Sequence, residues 1–168
     1  MNDENNGDMY APPKAELAVE ANEILLASRW SRFFASLLDS LTIMTVTLPT
    51  MYFTGGFTDI AEGIEPSFVY NLSIGMLAIF IFFIVNGKFL LNDGQTLGKK
   101  ALGIKIVDLD GNLPTMKNHL VKRYATYFLP GQVPIVGQFF SFINILFIFG
   151  KEKRCIHDHF AGTRVINC

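Results

Sequence analysis

The chain has 168 residues, of which 50% are hydrophobic and 17% charged, with 16 Phe and a mean hydropathy of +0.32. A soluble domain carries about 25% charge, so the composition points away from one, and the apolar content excludes a wholly disordered chain. The net charge of −1 excludes a basic nucleic-acid binder.

Residues 1–26 form a polar, acidic tail that includes Asp3, Glu4, Asp8, Glu16, Glu20 and Glu23. Pro12 and Pro13 break it, and a short amphipathic helix is expected from about Glu16 into Leu26. Three windows then hold no Asp, Glu, Lys or Arg: residues 40–58, 66–87 and 124–149. A spanning helix needs ~20 mostly apolar residues to cross about 30 Å of hydrocarbon. Such windows are rare in soluble folds, so the chain reads as a small integral membrane protein in contact with the lipid bilayer. The first apolar run starts near Phe33, too far along for a secretory signal, and no small-residue cleavage pattern follows. It reads as a retained helix over about 31–53, with Pro49 as a point of kinking. Gly55, Gly56, Gly63 and Pro66 mark a loop. A second helix is expected over about 68–89, with a centre apolar on every side.

Residues 90–118 are a polar interlude. Asp110-Gly111 is a strong two-residue turn signal, so 104–113 reads as a short hairpin, followed by a helix from Met116 through Arg123. The block 119–149 is broken by Pro130, Gly131, Pro134 and Gly137. It is either one kinked span or a helix to Leu129, a turn, and a second helix from about Pro134 to Phe149. Lys and Arg number 3 in residues 1–32, none in 54–66, 7 in 88–123 and 4 in 150–168. The positive-inside rule places the 54–66 loop outside and the interlude inside, with the N-terminus inside. A single third span would put the basic tail, 150–168, outside. The hairpin keeps it inside, with a first arm short enough to be re-entrant. The fold class is therefore an all-α, polytopic transmembrane helical bundle carrying a short cytoplasmic β-hairpin.

Arg32 and Asp39 lie seven apart, on one helical stripe with Ser36, about 10 Å from each other. Arg32 sits at the membrane edge, where it can snorkel to water. Asp39 lies within the span, where an ionisable group costs at least ~2.5 kcal/mol on insertion scales. It is either an ion or proton site or half of a structural charge pair. Gly94-Gln95-Thr96-Leu97-Gly98-Lys99-Lys100 lacks the spacing of a phosphate loop. It reads as a tight basic turn at the membrane surface, in reach of lipid headgroups. His157-Asp158-His159, read as extended, offers two His on one face and no third ligand, so no metal is assigned. The alternative pairs Asp158 with an Arg. Cys155 and Cys168 read as free thiols. No nucleophile elbow, triad order or carboxylate pair is present, so neither an enzyme nor a cofactor is expected.

These motifs resemble the RDD family of small bacterial membrane proteins, named for one arginine and two aspartates. Arg32 and Asp39 match within Arg32-Phe-Phe-Ala-Ser-Leu-Leu-Asp39, and Asp158 within His157-Asp158-His159-Phe-Ala-Gly162-Thr163. The middle block matches as Gly94-Gln95-Thr96-Leu-Gly98-Lys99 and Gly103-Ile-Lys-Ile106, and the basic residue before the third block as Arg123. Ile106 replaces the usual Val, and His159 stands where Arg or Lys is common. The resemblance covers about residues 27–166. It implies a multi-pass protein of the bacterial inner membrane, with transport of a small cation or proton as the usual proposal. In that picture Asp39 takes the ion, Arg32 tunes it and Asp158 closes the site. A transporter of this size would need to form a homo-oligomer. A scaffold or assembly factor bound to another membrane protein is the rival.

Overall fold

A computed structural model describes residues 25–133, 136–150 and 154–168. The acidic segment before residue 25, with the helix expected from Glu16, lies outside the described residues, as do Pro134, Lys151 and Lys153.

The fold is mostly helical, with two long apolar helices. Helix α1 (Arg29–Phe53) has 25 residues, and its N-cap Ser28 accepts from the Ser31 amide. Ordered as α2 (Gly56–Ala61), a short helix occupies the loop that sequence read as turns. Helix α3 (Phe68–Asp93) has 26 residues and ends on Gly94, whose left-handed φ of 67° suits a residue without Cβ. Both are long and apolar enough to cross a membrane, at roughly 37–39 Å of helix each. Helix α1 runs through Pro49 without a break. The pair is joined at one end, where the Thr54 and Tyr70 hydroxyls lie 2.8 Å apart.

At the other end lies a polar cap. It contains α4 (Leu97–Ala101) and the strand β1 (Ile104–Asp108). The expected hairpin across Asp110-Gly111 does not form. The turn is present, with the Asp108 amide donating to the Asn112 carbonyl at 2.9 Å, but β1 pairs antiparallel with β2 (Thr163–Asn167), Ile106 opposite Val165. The buried faces explain the choice. Ile104, Ile106 and Val107 are at most 1% exposed, and Val165 matches them at 1%, whereas the segment 111–113 offers one exposed leucine. Leu26 bridges Ile166, and the Ala27 amide donates to the Val165 carbonyl. The small sheet thus ties the entry of α1 to the end of the chain. Ala27, Ala35, Phe82, Leu90, Ile104 and Ile106 form the core beneath it.

The third block is broken. A π-turn (Met116–Leu120) continues into α5 (Val121–Phe128) and a 3₁₀ turn (Pro130–Gln132). This arm lies along α3: Tyr124 and Phe128 pack on Phe82 and Phe83. Its tip reaches Gly75, where an added Cβ would come within 2.9 Å of the Gln132 carboxamide carbon. The chain then turns into α6 (Val136–Leu146) and a short 3₁₀ turn (Phe147–Phe149). That turn is back beside the start of α1, where the Arg29 Nε donates to the Ile148 carbonyl at 3.3 Å. The block therefore begins and ends at the polar end, as the hairpin reading expects. A last helix, α7 (Ile156–Ala161), precedes β2. Its helical form corrects the extended reading of His157–His159.

Candidate functional site

Helix α1 carries Arg32 and Asp39 on its inner stripe, 5% and 8% exposed. They serve different partners, contrary to the idea of an Arg32–Asp39 pair. Nor does Arg32 snorkel: it points inward, to Asp158.

Asp39 is capped by α4. Thr96 Oγ1 donates to its Oδ2 at 2.5 Å, and the Gly98 amide donates to its Oδ1 at 2.8 Å. The Lys99 ammonium stands 3.9 Å from Oδ2. The first three amides of α4 all find side-chain acceptors: Leu97 on Asn86 (2.7 Å), Gly98 on Asp39, and Lys99 on Thr96 (3.3 Å). A helix start normally leaves these donors unpaired, so α1 and α3 together complete α4. Gly98 permits the approach. An added Cβ would strike the Ala35 carbonyl oxygen and come within 3.0 Å of Asp39 Oδ1. The Gly94–Lys100 segment is therefore no headgroup-facing turn at Lys99, which is 8% exposed. Lys100 is the solvent-side residue, 3.6 Å from Asp93.

Asp158 is fully buried and clamped by two guanidinium groups, Arg32 through Nη2 and Arg123 through Nη1. The Cys155 amide and the Thr163 hydroxyl add hydrogen bonds at 3.1 and 3.2 Å. Arg123 also donates to Thr163 Oγ1 at 2.7 Å. Asp158 sits in the first turn of α7, where a carboxylate is favoured by the helix dipole. Gly162, in the left-handed conformation at φ 62°, ends α7 and releases Thr163 into β2. The remaining motif residues shape the sheet. Gln95 Nε2 donates to the Ile104 carbonyl at 3.0 Å, and the Gly103 carbonyl accepts from the Cys168 amide at 2.9 Å.

Cys155, His157 and Asp158 come together with donor atoms within 4.8 Å of one another, a different set from the His157–His159 pair weighed from sequence. The set does not suit a metal ion. Both Asp158 oxygens already carry a guanidinium, and those two positive charges, with Lys99 nearby, would repel a cation. His157 Nδ1 lies 3.1 Å from Asn144 Oδ1. Burial, then the charges of Arg123, Arg32 and Lys99, hold its pKa well below the ordinary histidine value, so the ring is neutral. Burial likewise raises the Cys155 thiol, against the pull of the same cations. Burial and the neighbouring Arg123 lower Lys99 to about 8, against Asp39.

Between these groups lies a cavity of about 120 Å³, lined by Arg32, Asp39, Lys99, Arg123, Tyr124 and His157 among others. Sequence reasoning missed Asn86, Asn144 and Tyr124. The legible signal for the first two was a carboxamide inside a charge-free window.

The fold and the site define a small helical membrane protein with a charge-locked polar end. The chain belongs to the RDD family, whose model matches residues 26–162. It is 28% identical over 165 residues to an uncharacterized membrane protein, YteJ, of Bacillus subtilis (strain 168), covering 95% of this chain and 90% of that protein. A shorter match, 42% identical over 74 residues, is to the uncharacterized protein RP437 of Rickettsia prowazekii (strain Madrid E), covering 44% of this chain and 36% of that one. A third, to the uncharacterized protein YxaI of Bacillus subtilis (strain 168), is 38% identical over 71 residues and covers 42% of each. No solved structure matches significantly.

Proposed function

We propose that the chain is a multi-pass protein of the bacterial cytoplasmic membrane, with its polar cap in the cytoplasm, and that it works as a non-transporting scaffold for another membrane protein. One observation carries this reading: the donors of this chain already occupy both carboxylates of the family signature. Asp39 accepts from Thr96 and Gly98 beside Lys99, and Asp158 from Arg32, Arg123, Cys155 and Thr163. A carrier site for a small cation needs carboxylate oxygens that are free to replace its water. Here a cation would have to displace Lys99 from Asp39 or a guanidinium from Asp158. The network instead joins α1, α4, α5 and α7, which suits a lock. Breaking a buried charge pair is strongly destabilising, by about 3–5 kcal/mol.

The side assignment follows from the basic residues, concentrated in the interlude and the tail. The helix pair leaves large apolar side chains outward, such as Phe80 and Ile84 on α3, available to lipid or to a partner span.

Proteoliposomes holding the purified full chain test the reading. Proton, sodium and potassium flux should equal that of empty vesicles, while Asp39→Asn lowers abundance in cells. Cation flux that Asp39→Asn abolishes, with abundance unchanged, restores the transport reading.

A further inference from the structure

The geometry points to a binding site for one small monovalent anion, of the halide or short carboxylate class, in the cavity between α1, α4 and α5, with the Lys99 ammonium and the Tyr124 hydroxyl as its donors. This goes beyond the scaffold reading and does not depend on it.

The charge balance comes first. Among the described residues, Arg32, Lys99 and Arg123 line the cavity as cations and Asp39 as a carboxylate. Asp158 lies behind the two arginines with no exposed surface. Counting Asp158, the described residues of the cluster are three cations and two carboxylates. His157 adds none, since its ring is neutral. Charge held away from water is costly unless it is closely paired, and a small anion beside the Lys99 ammonium would pair it.

The donors come second. Lys99 has three N–H groups, and the ammonium makes one long hydrogen bond, to Thr96 Oγ1 at 3.4 Å, with Asp39 at 3.9 Å. Those contacts leave it poorly solvated in a site where it is 8% exposed. The Tyr124 hydroxyl, on a residue 7% exposed, lies beside the Arg123 guanidinium, from which its oxygen can accept, while its proton has no acceptor among the described residues. Both groups line the same space. Buried polar groups are paired in the great majority of cases, so two underused donors on one cavity indicate a missing acceptor. The lowered pKa of Lys99, to about 8, has the same origin: burial and nearby cations outweigh the help from Asp39.

Size comes third. The volume of about 120 Å³ equals roughly four waters at about 30 Å³ each. It admits chloride, formate or acetate with residual water and excludes a nucleotide. A phospholipid phosphate shares the negative charge, so the test separates lipid from free anion.

The full chain is purified in a nonionic detergent with bulky gluconate as counter-ion, and its thermal midpoint is followed as gluconate is exchanged for chloride, formate or acetate at constant ionic strength. A saturable rise is expected for at least one small anion, abolished in Lys99→Met and weakened several-fold in Tyr124→Phe. The tyrosine variant keeps the ring and its packing, so it carries the test if Lys99→Met does not fold. The same titration in nanodiscs of zwitterionic lipid should repeat the rise. A midpoint flat in every small anion, or a saturation unchanged in both variants, overturns the site. So does an effect of anionic lipid with no effect of free anion.

Discussion

Gly98→Ala is a single-methyl change at the point where α4 meets α1. Intrinsic helix propensity would favour it by about 1 kcal/mol. The site says the reverse. The new Cβ would strike the Ala35 carbonyl oxygen and lie 3.0 Å from both the Ala35 carbonyl carbon and Asp39 Oδ1. Two of these atoms are backbone and cannot swing aside, so α4 must move out. Overpacking of this kind costs about 1–3 kcal/mol. The shift also stretches the 2.8 Å bond from the Gly98 amide to Asp39 and the 2.5 Å bond from Thr96. Hydrogen bonds to a charged group contribute roughly 1.5–3 kcal/mol each. With both bonds lost and the propensity gain subtracted, a net loss of about 3–8 kcal/mol remains. For a chain of this length that lowers the thermal midpoint by on the order of 10 °C. Gly87→Ala is the internal control, because it lies in α3 with nothing within 4 Å of an added Cβ. Its midpoint should hold or rise. Thermal unfolding of the detergent-purified full chain reads both. Equal midpoints for the two variants would refute the close packing of α4 on α1.

Asn86→Leu keeps the side-chain volume and removes the acceptor of the Leu97 amide. It should cost about 1–3 kcal/mol, read as a lower midpoint with no change in topology. Arg123→Met leaves Asp158 buried with one guanidinium, so a loss of about 3–5 kcal/mol is expected, seen as loss of folded protein on size-exclusion chromatography. Lys99 gives a pH signature. Its folded pKa of about 8 lies below the ordinary lysine value of 10.5, so between these values the unfolded chain binds more protons and stability rises with pH. Below about pH 8 both states are protonated and this contribution is flat. The rise in midpoint between pH 8 and 10 should vanish in Lys99→Gln. A reporter fused after Cys168 should report the cytoplasmic side.

Much of this was legible because bilayer crossing and charge asymmetry are local properties. The charge-free windows located α1 and α3 to within a few residues, and the basic interlude and tail argued for the hairpin return of 119–149. The strand pairing was not legible. Asp110-Gly111 correctly marked a turn, but pairing is decided by which face is buried, and Val165 lies almost sixty residues away. The partners of the signature residues were equally hidden. Seven-residue spacing put Arg32 and Asp39 on one stripe, yet their partners come from α7 and α4, and no helical period encodes a contact across elements. Lys99 looked like a surface lysine for the same reason: a short helix dips beside α1 only because Gly98 lets it.

On the proposed scaffold reading, Asp39 is held by the chain itself and is not kept for a cation. The thermal midpoint of the full chain, with sodium exchanged for a bulky organic cation at constant chloride, tests it directly. A midpoint independent of sodium is expected in the wild type, and a lower one in Asp39→Asn under every condition. A saturable rise with sodium that disappears in Asp39→Asn, whose midpoint otherwise matches the sodium-free wild type, would contradict it.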